Sequence, residues 1–291
     1  MVRQLVLGAL LLLTAATPVL ANGRPAATST INFRRGMEQH IAAGMTFGLV
    51  LSQDGGQTWH WICEDAVQYG GMYDPDYAYT SSGALFATTF VGPLVNRDGC
   101  SFNPTPFGDK FVSSIAQSSN GNLFMGLVHP ANPATSDPGD PKIYRSTDDG
   151  LTWPVSAMPT SVGLWWMSIE VSATNPNKIY AAGYRLVALG TEYELYRSDD
   201  GGLTYVRIQT TGMTTSKDSR IEIVGISRQN DQHVYARVTY QTSGSISDGI
   251  YRSLDGGMTW TRIRNDQDEL AFVVRANGDL VVGGRQSGLH V

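Results

Sequence analysis

The sequence predicts an all-β protein folded as a β-propeller of four-stranded antiparallel blades. First, an eight-residue turn pattern starts at residues 52, 146, 198 and 253, with a shortened copy at 96, so a unit of about 50 residues repeats. Second, most units contain four short alternating apolar segments, which is the content of a propeller blade. Third, charged residues make up only 16% of the 291 residues while glycine occurs 32 times, which favours strands and turns over helices.

The repeated pattern, called the box turn below, reads S-x-D-x-G-x-T-W/Y and joins two predicted strands. We expect its aspartate to accept hydrogen bonds from the turn backbone, its glycine to adopt angles that a Cβ disfavours, and its aromatic ring to cover the hairpin. Folding alone therefore explains every residue type in the pattern. The residues are Ser52, Asp54, Gly56, Trp59, Ser146, Asp148, Gly150, Trp153, Ser198, Asp200, Gly202, Tyr205, Ser253, Asp255, Gly257 and Trp260, with Asp98 in the shortened copy.

The box turn resembles the Asp-box, or BNR, repeat of sialidase-like, sortilin-like and related secreted propeller proteins. Four copies in register, with their flanking strands, extend this resemblance over nearly all of residues 22–291. The resemblance implies that each box turn joins the third and fourth strands of a blade, at the rim and away from the central site. It therefore implies that the box aspartates are structural.

The last repeat leaves two alternatives open for the closure of the propeller. Residues 279–291 (DLVVGGRQSGLHV) align with residues 39–51 (QHIAAGMTFGLVL), so the last repeat stops where a sixth box turn would begin. In one alternative, the segment TSTINF at Thr28–Phe33 adds the missing fourth strand to the last blade and closes a ring of about six blades. In the other, the chain is a truncated piece of a longer propeller.

The first residues predict export. Arg3, the apolar run of residues 5–13 and the small residues up to Ala21 indicate a signal peptide over residues 1–21, followed by a secreted or periplasmic propeller over residues 22–291. No later segment is long and apolar enough to predict a membrane span. In an oxidising compartment, Cys63 and Cys100 are a candidate disulfide pair.

Charge and residue spacing restrict the partners. The net charge of −5 and the lack of basic runs argue against nucleic acid as a partner. No metal-ligand spacing or cofactor motif is recognisable, so neither a metal nor a cofactor is expected. We expect a monomer that acts on an extracellular glycan or protein.

Carboxylates outside the box turns are the candidates for catalysis, because two facing carboxylates suffice for glycoside hydrolysis. All lie in or just before predicted inner strands, and Glu170 and Glu222 are expected at similar places in successive strands. The alternative interpretation, which we favour, is a channel-facing carboxylate held by water and backbone. The candidates are Asp74, Asp76, Glu170 and Glu222.

Resemblance to sialidases implies an arginine triad and an F/Y-R-I-P motif. The nearest match to the motif is FRRG at residues 33–36, which lacks the isoleucine and the proline. Arg145, Arg197 and Arg252 each directly precede a box serine. We therefore interpret these arginines as part of the repeat and not as a triad.

Aromatic residues beside the predicted inner strands are the candidate ligand contacts, although such residues also pack between blades. They are Tyr73, Tyr77, Trp165 and Trp166. The leading hypothesis is a non-catalytic binding or scaffold protein for extracellular carbohydrate or protein. The alternatives are a glycoside hydrolase of the sialidase-like or endoglucanase-like propeller type, and an assembly factor that docks a partner protein. A propeller fold does not decide between them.

Overall fold

The computed structural model describes residues 28–70, 74–128, 141–157, 163–187, 190–213, 219–242, 245–266, 269–284 and 288–291. The predicted signal peptide lies outside these residues. The described chain forms six small antiparallel sheets, which confirms the predicted all-β propeller and sets its blade number at six.

The first three blades each contain four strands in chain order. Blade 1 consists of β1 (Thr28–Phe33), β2 (Ile41–Met45), β3 (Gly48–Ser52) and β4 (His60–Cys63). Blade 2 consists of β5 (Tyr77–Tyr79), β6 (Leu85–Ala87), β7 (Leu94–Asn96) and β8 (Asn103–Pro104). Blade 3 consists of β9 (Val112–Gln117), β10 (Leu123–Leu127), β11 (Ile143–Ser146) and β12 (Val155–Ala157).

The other three blades follow in the same way, except that blade 6 has three strands. Blade 4 consists of β13 (Trp165–Val171), β14 (Ile179–Val187), β15 (Gly190–Ser198) and β16 (Val206–Ile208). Blade 5 consists of β17 (Arg220–Ile226), β18 (Val234–Thr242), β19 (Ser245–Ser253) and β20 (Thr261–Asp266). Blade 6 consists of β21 (Glu269–Val274), β22 (Leu280–Gly284) and β23 (Gly288–His290).

A short helix, α1 (Glu64–Val67), follows blade 1. Within the described ranges, no helix has the length and apolar character needed to cross a membrane.

The first strand of each blade lies innermost. Neighbouring first strands contact one another in chain order, from β1 and β5 through β9, β13 and β17 to β21, so the blades surround a common axis. Within the described chain, β21 and β1 make no comparable contact. Each blade therefore packs on its neighbours in sequence, and the junction between blade 6 and blade 1 differs from the other five.

β1 is the innermost strand of blade 1, where Ile31 pairs with Ala43 and Phe33 pairs with Ile41. The alternative in which Thr28–Phe33 completes the last blade is therefore wrong. The cause is local, because a tight turn closed by the hydrogen bond from Arg34 N to His40 O at 2.8 Å brings β1 beside β2.

The core lies between the blades, because each blade is apolar on both faces. Side chains alternate along β14, so that Ile179 and Ala181 pack toward blade 3 while Tyr180 and Ala182 pack toward blade 5. A strand that is covered on both faces has a nearly continuous run of apolar residues in its sequence. Such runs flank the box turns and helped to identify the repeats.

The predicted disulfide is not formed, because Cys63 and Cys100 are both free cysteines. Cys63 pairs with Gly48 at the end of its hairpin away from the box turn of blade 1. Cys100, by contrast, lies inside the shortened box turn of blade 2. The two thiols are thus at opposite ends of their respective hairpins, and the even cysteine count was misleading.

Candidate functional site

The box aspartates accept hydrogen bonds inside their own turns. Asp148 Oδ1 accepts hydrogen bonds from Ser146 Oγ at 2.7 Å and from Thr152 N at 2.9 Å. Together with the Thr152 hydroxyl, these bonds lower the pKa of Asp148 to about 2. The same two contacts are made in the other full copies by Asp54, Asp200 and Asp255. Each carboxylate serves a different blade, so the four do not form a common cluster.

The arginines before the box serines join neighbouring blades. Arg145 Nη1 donates a hydrogen bond to Gly201 O at 2.8 Å, in the box turn of the next blade. Arg197 Nη1 donates likewise to Gly256 O at 2.9 Å. Because each arginine holds the backbone of a different turn, neither points into a common carboxylate site.

A cavity of about 300 Å³ lies between the inner strands of blades 1 to 4. Asp76 and Glu170 both line it, so the structure brings together two of the four predicted acidic candidates. Asp74 and Glu222 are not among the described residues of its wall.

Asp76 is a partly buried carboxylate that connects blade 2 to blade 3. Its Oδ2 accepts hydrogen bonds from Ile115 N at 3.1 Å and from Ser114 Oγ at 3.3 Å, and its Oδ1 accepts one from Tyr77 N at 2.9 Å. Burial nevertheless raises the pKa of Asp76 to about 6, against the effect of these bonds. The Asp76 carboxylate thus already accepts two hydrogen bonds from blade 3, at the junction between blades 2 and 3.

Glu170 lies on the same cavity, near the end of β13. Burial, together with the negative charge of Asp76, raises the pKa of Glu170 to about 8. At neutral pH the Glu170 carboxyl therefore holds a proton. Two coupled carboxyls in one cavity can hold and donate a proton, which is the chemistry expected of a general acid.

Two serines that sequence reasoning missed extend this arrangement around the axis. Ser114 Oγ accepts a hydrogen bond from Ile169 N at 3.1 Å, and Ser168 Oγ accepts one from Ile223 N at 2.9 Å. An innermost strand has no strand neighbour on its axial side, so some of its N–H groups need such acceptors. The available signal was the Ser-Ile pair that recurs at residues 114 and 168.

Glu222 does not occupy the place of Glu170 in the next strand. Ile169 pairs with Ala181 and Ile223 pairs with Ala236, so that Glu222 corresponds in register to Ser168. The prediction of similar positions is therefore wrong by two residues. The Glu222 carboxylate instead forms an ion pair with Arg237 at 3.6 Å.

Three aromatic rings form a row across one end of blade 4. Trp165 stacks on Tyr184, with ring centroids 6.1 Å apart and planes inclined by 18°. Tyr184 in turn contacts Tyr193 at 5.6 Å. The cross-strand pairs Trp165↔Tyr184 and Tyr184↔Tyr193 place the rings side by side at the end of the blade away from its box turn. All three side chains are partly exposed.

The other aromatic candidates do not join this row. Trp166 is buried in the core between blades, which contradicts its prediction as a ligand contact. Tyr77 is also buried, but it lines the cavity between the inner strands. Trp166 Nε1 also donates its hydrogen bond internally, to Pro141 O at 3.0 Å. Tyr73 lies outside the described residues.

A cleft of about 260 Å³ opens beside the aromatic row, between blades 4 and 5. Its wall includes Glu192, Tyr193, Arg207 and Ser219. Glu192 forms an ion pair with Arg185, its cross-strand neighbour. An aromatic surface thus borders a polar and charged cleft.

In the described part of the chain, no group of three or more His, Cys, Asp or Glu side chains is arranged to hold a metal ion.

Similarity to known proteins is partial. No protein-family profile matches the chain. An oligoxyloglucan-reducing end-specific xyloglucanase from Emericella nidulans is 22% identical over 251 residues, which is 72% of this chain and 30% of the xyloglucanase.

Two solved structures show the same fold at low identity. An ancestral GH74 enzyme superposes with a TM-score of 0.62 and 15% identity, over 93% of this chain and 36% of the enzyme. YCF48 bound to D1 peptide superposes with a TM-score of 0.51 and 13% identity, over 91% of this chain and 76% of that protein. The chain thus spans about a third of the length of the two enzymes.

Proposed function

We propose that the protein is a secreted propeller that binds extracellular carbohydrate at the end of blade 4 opposite its box turn. The observation that carries this proposal is the partly exposed row of Trp165, Tyr184 and Tyr193. Sugar rings present flat C–H faces that pack on aromatic rings, while their hydroxyls need polar partners.

The adjoining cleft supplies those polar partners. Glu192 offers carboxylate acceptors and Arg207 offers guanidinium donors. The cleft and the aromatic row share Tyr193, so one ligand can contact both. Similarity to an oligoxyloglucan-reducing end-specific xyloglucanase supports xyloglucan oligosaccharides as the first ligand to test.

Calorimetric titration with xyloglucan oligosaccharides tests this proposal. Removal of one stacking ring in Trp165→Ala is expected to weaken binding several-fold, up to about tenfold. Trp61→Ala is the matched control, because Trp61 is an exposed tryptophan in blade 1, far along the chain from the row. Equal losses in the two variants, or an absence of binding by the unmodified protein, would contradict the proposal.

A second candidate function is glycoside hydrolysis at the axial cavity. It is favoured by one observation, namely that Glu170 and Asp76 line one cavity and both have raised pKa values. In this role protonated Glu170 is the general acid, and Asp76 is the partner carboxylate. The involvement of Asp76 in the junction with Ile115 limits its freedom to act on a substrate.

Release of reducing ends from xyloglucan decides between the two functions. Hydrolysis that is lost in Glu170→Gln and retained in Trp61→Ala supports catalysis at the cavity. Binding without any release of reducing ends supports the binding function alone.

A further inference from the structure

At one junction between inner strands, a carboxylate stands where a hydroxyl is sufficient. Ser114 Oγ accepts a hydrogen bond from a backbone N–H group of blade 4 at 3.1 Å, and Ser168 Oγ accepts one from blade 5 at 2.9 Å. In blade 2 the acceptor of this kind is Asp76, whose Oδ2 accepts the hydrogen bond from Ile115 N of blade 3 at 3.1 Å. Because serine makes this contact at the next two junctions, the contact does not require the negative charge of Asp76.

Three more polar residues line the axial cavity together with Asp76, namely Asn32, Gln117 and Glu170. All three are partly buried. Within the described chain, none of these three side chains makes a hydrogen bond or an ion pair. Partly buried amide and carboxyl groups that lack an internal partner are available to a ligand.

The described wall of the cavity carries acidic groups and no lysine, arginine or histidine. Arg35, two residues after Phe33 in the wall, instead donates a hydrogen bond to Ser118 O at 2.6 Å. Burial raises the pKa of Asp76 and of Glu170, and the charge of Asp76 adds to the effect at Glu170. A bound cation would oppose this effect, because it stabilises the ionised form of both carboxyls.

The groups around the cavity favour an organic cation over a metal ion. The described residues contain no group of three or more His, Cys, Asp or Glu side chains that could hold a metal. An ammonium group needs fewer ligands of this kind, because its three N–H bonds can be donated separately to carboxylate and amide oxygens. The volume of about 300 Å³ also accommodates the carbon skeleton to which the ammonium is attached.

We propose that the axial cavity binds a small molecule that carries a primary ammonium group. The ammonium group donates hydrogen bonds to the carboxylates of Asp76 and Glu170, and the amides of Asn32 and Gln117 bind the polar groups of the remaining ligand. On binding, the O–H bond of the Glu170 carboxyl breaks and its proton passes to the solvent, while the ammonium keeps its three N–H bonds. The site is separate from the aromatic row of blade 4 and does not depend on the function proposed for that row.

Calorimetric titration at pH 7 and physiological ionic strength tests the ligand class, with 1,4-diaminobutane as the first probe and 1,4-butanediol as its neutral control. The diamine is expected to bind saturably and the diol is not. Glucosamine is the second probe, and it distinguishes an amino sugar from an alkylamine as the source of the ammonium group. Its binding is assigned to the cavity only if Glu170→Gln weakens it, because the row of blade 4 is another place for a sugar. The proposal is overturned if neither amine binds at the cavity, if the diol binds as tightly as the diamine, or if Ca²⁺ binds more tightly than both amines.

Two variants locate the site. Asp76→Ser removes the charge and keeps an acceptor of the kind that serves the next two junctions, so it is expected to retain the melting temperature and to weaken binding about tenfold or more, the effect of one charged hydrogen bond. Glu170→Gln, which removes no hydrogen bond of the described chain, is expected to weaken binding by a similar factor. Glu222→Gln is the matched control, because this carboxyl also belongs to an inner strand but lies outside the described wall, and it is expected to leave binding unchanged.

Titration in two buffers of different ionisation enthalpy measures proton release, which a purely structural carboxyl would not produce. Asp76 and the phenols of Tyr77 and Tyr79 are the other titratable groups of the described wall. At pH 7 the diamine is expected to release about one proton from the unmodified protein and a small fraction of one from Glu170→Gln, with an affinity that increases with pH up to about 8. Equal proton release by these two proteins, or equal affinities of Glu170→Gln and Glu222→Gln, would overturn the proposal.

Discussion

Arg145 Nη1, in blade 3, donates a 2.8 Å hydrogen bond to the carbonyl oxygen of Gly201, in the box turn of blade 4. The contact ties two neighbouring blades at the rim. Arg145→Ala is expected to lower the free energy of unfolding by about 1.5–3 kcal/mol, the range for a charged hydrogen bond. Arg252→Ala removes the equivalent arginine of blade 5, for which the described residues provide no box turn in the next blade as acceptor, and it is expected to cost less than about 0.5 kcal/mol.

Urea unfolding monitored by tryptophan fluorescence measures both free energies. Equal destabilisation by the two substitutions would show that the arginines act within their own blades and not across the junction.

The repeat period and the alternation of side chains were sufficient to predict the propeller, most strand positions and the assignment of the arginines to the repeat. These features are local, since a box turn and its flanking strands determine one another over about 20 residues. The aromatic row of blade 4, by contrast, is formed by residues that are brought together only by strand pairing. Tyr184 and Tyr193 were missed because they meet Trp165 only through the register of the β14–β15 hairpin.

Errors in the sequence analysis had two physical causes. One of the two alternatives for closure placed β1 in the wrong blade, because strand pairing partners cannot be read from alternation alone. Glu222 was placed out of register because alternation alone does not fix the count between strands. Glu170 and Glu222 are 52 residues apart, whereas the box serines of the same two blades, Ser198 and Ser253, are 55 residues apart.

Glu170 makes the stability of the protein depend on pH. Its pKa rises from 4.5 in the unfolded chain to about 8 in the fold, so the folded state binds the proton more tightly. The stability that this proton provides is full below pH 4.5 and is lost as the pH rises to about 8. Glu170→Gln removes the ionisation and is expected to stabilise the protein at pH 9 by more than about 1.4 kcal/mol, the equivalent of one pKa unit.

Urea unfolding at intervals from pH 5 to pH 9 measures this effect. The difference between Glu170→Gln and the unmodified protein is expected to grow with pH. A difference that is constant across the range would show that the Glu170 carboxyl is not protonated in the folded protein.

Gly150 is expected to be intolerant of any side chain. Its φ is +76°, and a Cβ at this position would lie 2.4 Å from the Phe86 ring. Gly150→Ala therefore combines backbone strain with overpacking and is expected to cost about 2–4 kcal/mol. Gly99→Ala is the control, because its φ is also +76° but a Cβ there would meet nothing within 4 Å.

The two melting temperatures, measured by circular dichroism, separate the effects. The fall in melting temperature of Gly99→Ala measures the backbone strain alone. The additional fall in Gly150→Ala measures the steric conflict of the new Cβ with the Phe86 ring. Equal losses would contradict the close packing of this turn on blade 2.

Ser168 is expected to protect one backbone amide of the next blade. Its Oγ accepts the hydrogen bond from Ile223 N at 2.9 Å, so Ser168→Ala leaves a partly buried N–H without this acceptor. The expected cost is about 1–3 kcal/mol. Amide exchange measured by NMR is expected to accelerate at Ile223 and to remain unchanged at Ile169, which is held by Ser114 instead. An unchanged exchange rate at Ile223 would mean that Ser168 Oγ does not protect the Ile223 N–H group.

The most direct test of the account is a crystal structure of the protein with a bound xyloglucan oligosaccharide. The account predicts a sugar ring stacked on the row of Trp165, Tyr184 and Tyr193, with its hydroxyls directed into the cleft beside Glu192 and Arg207. A sugar found in the axial cavity beside Glu170, with the blade 4 row vacant at saturating ligand, would contradict it.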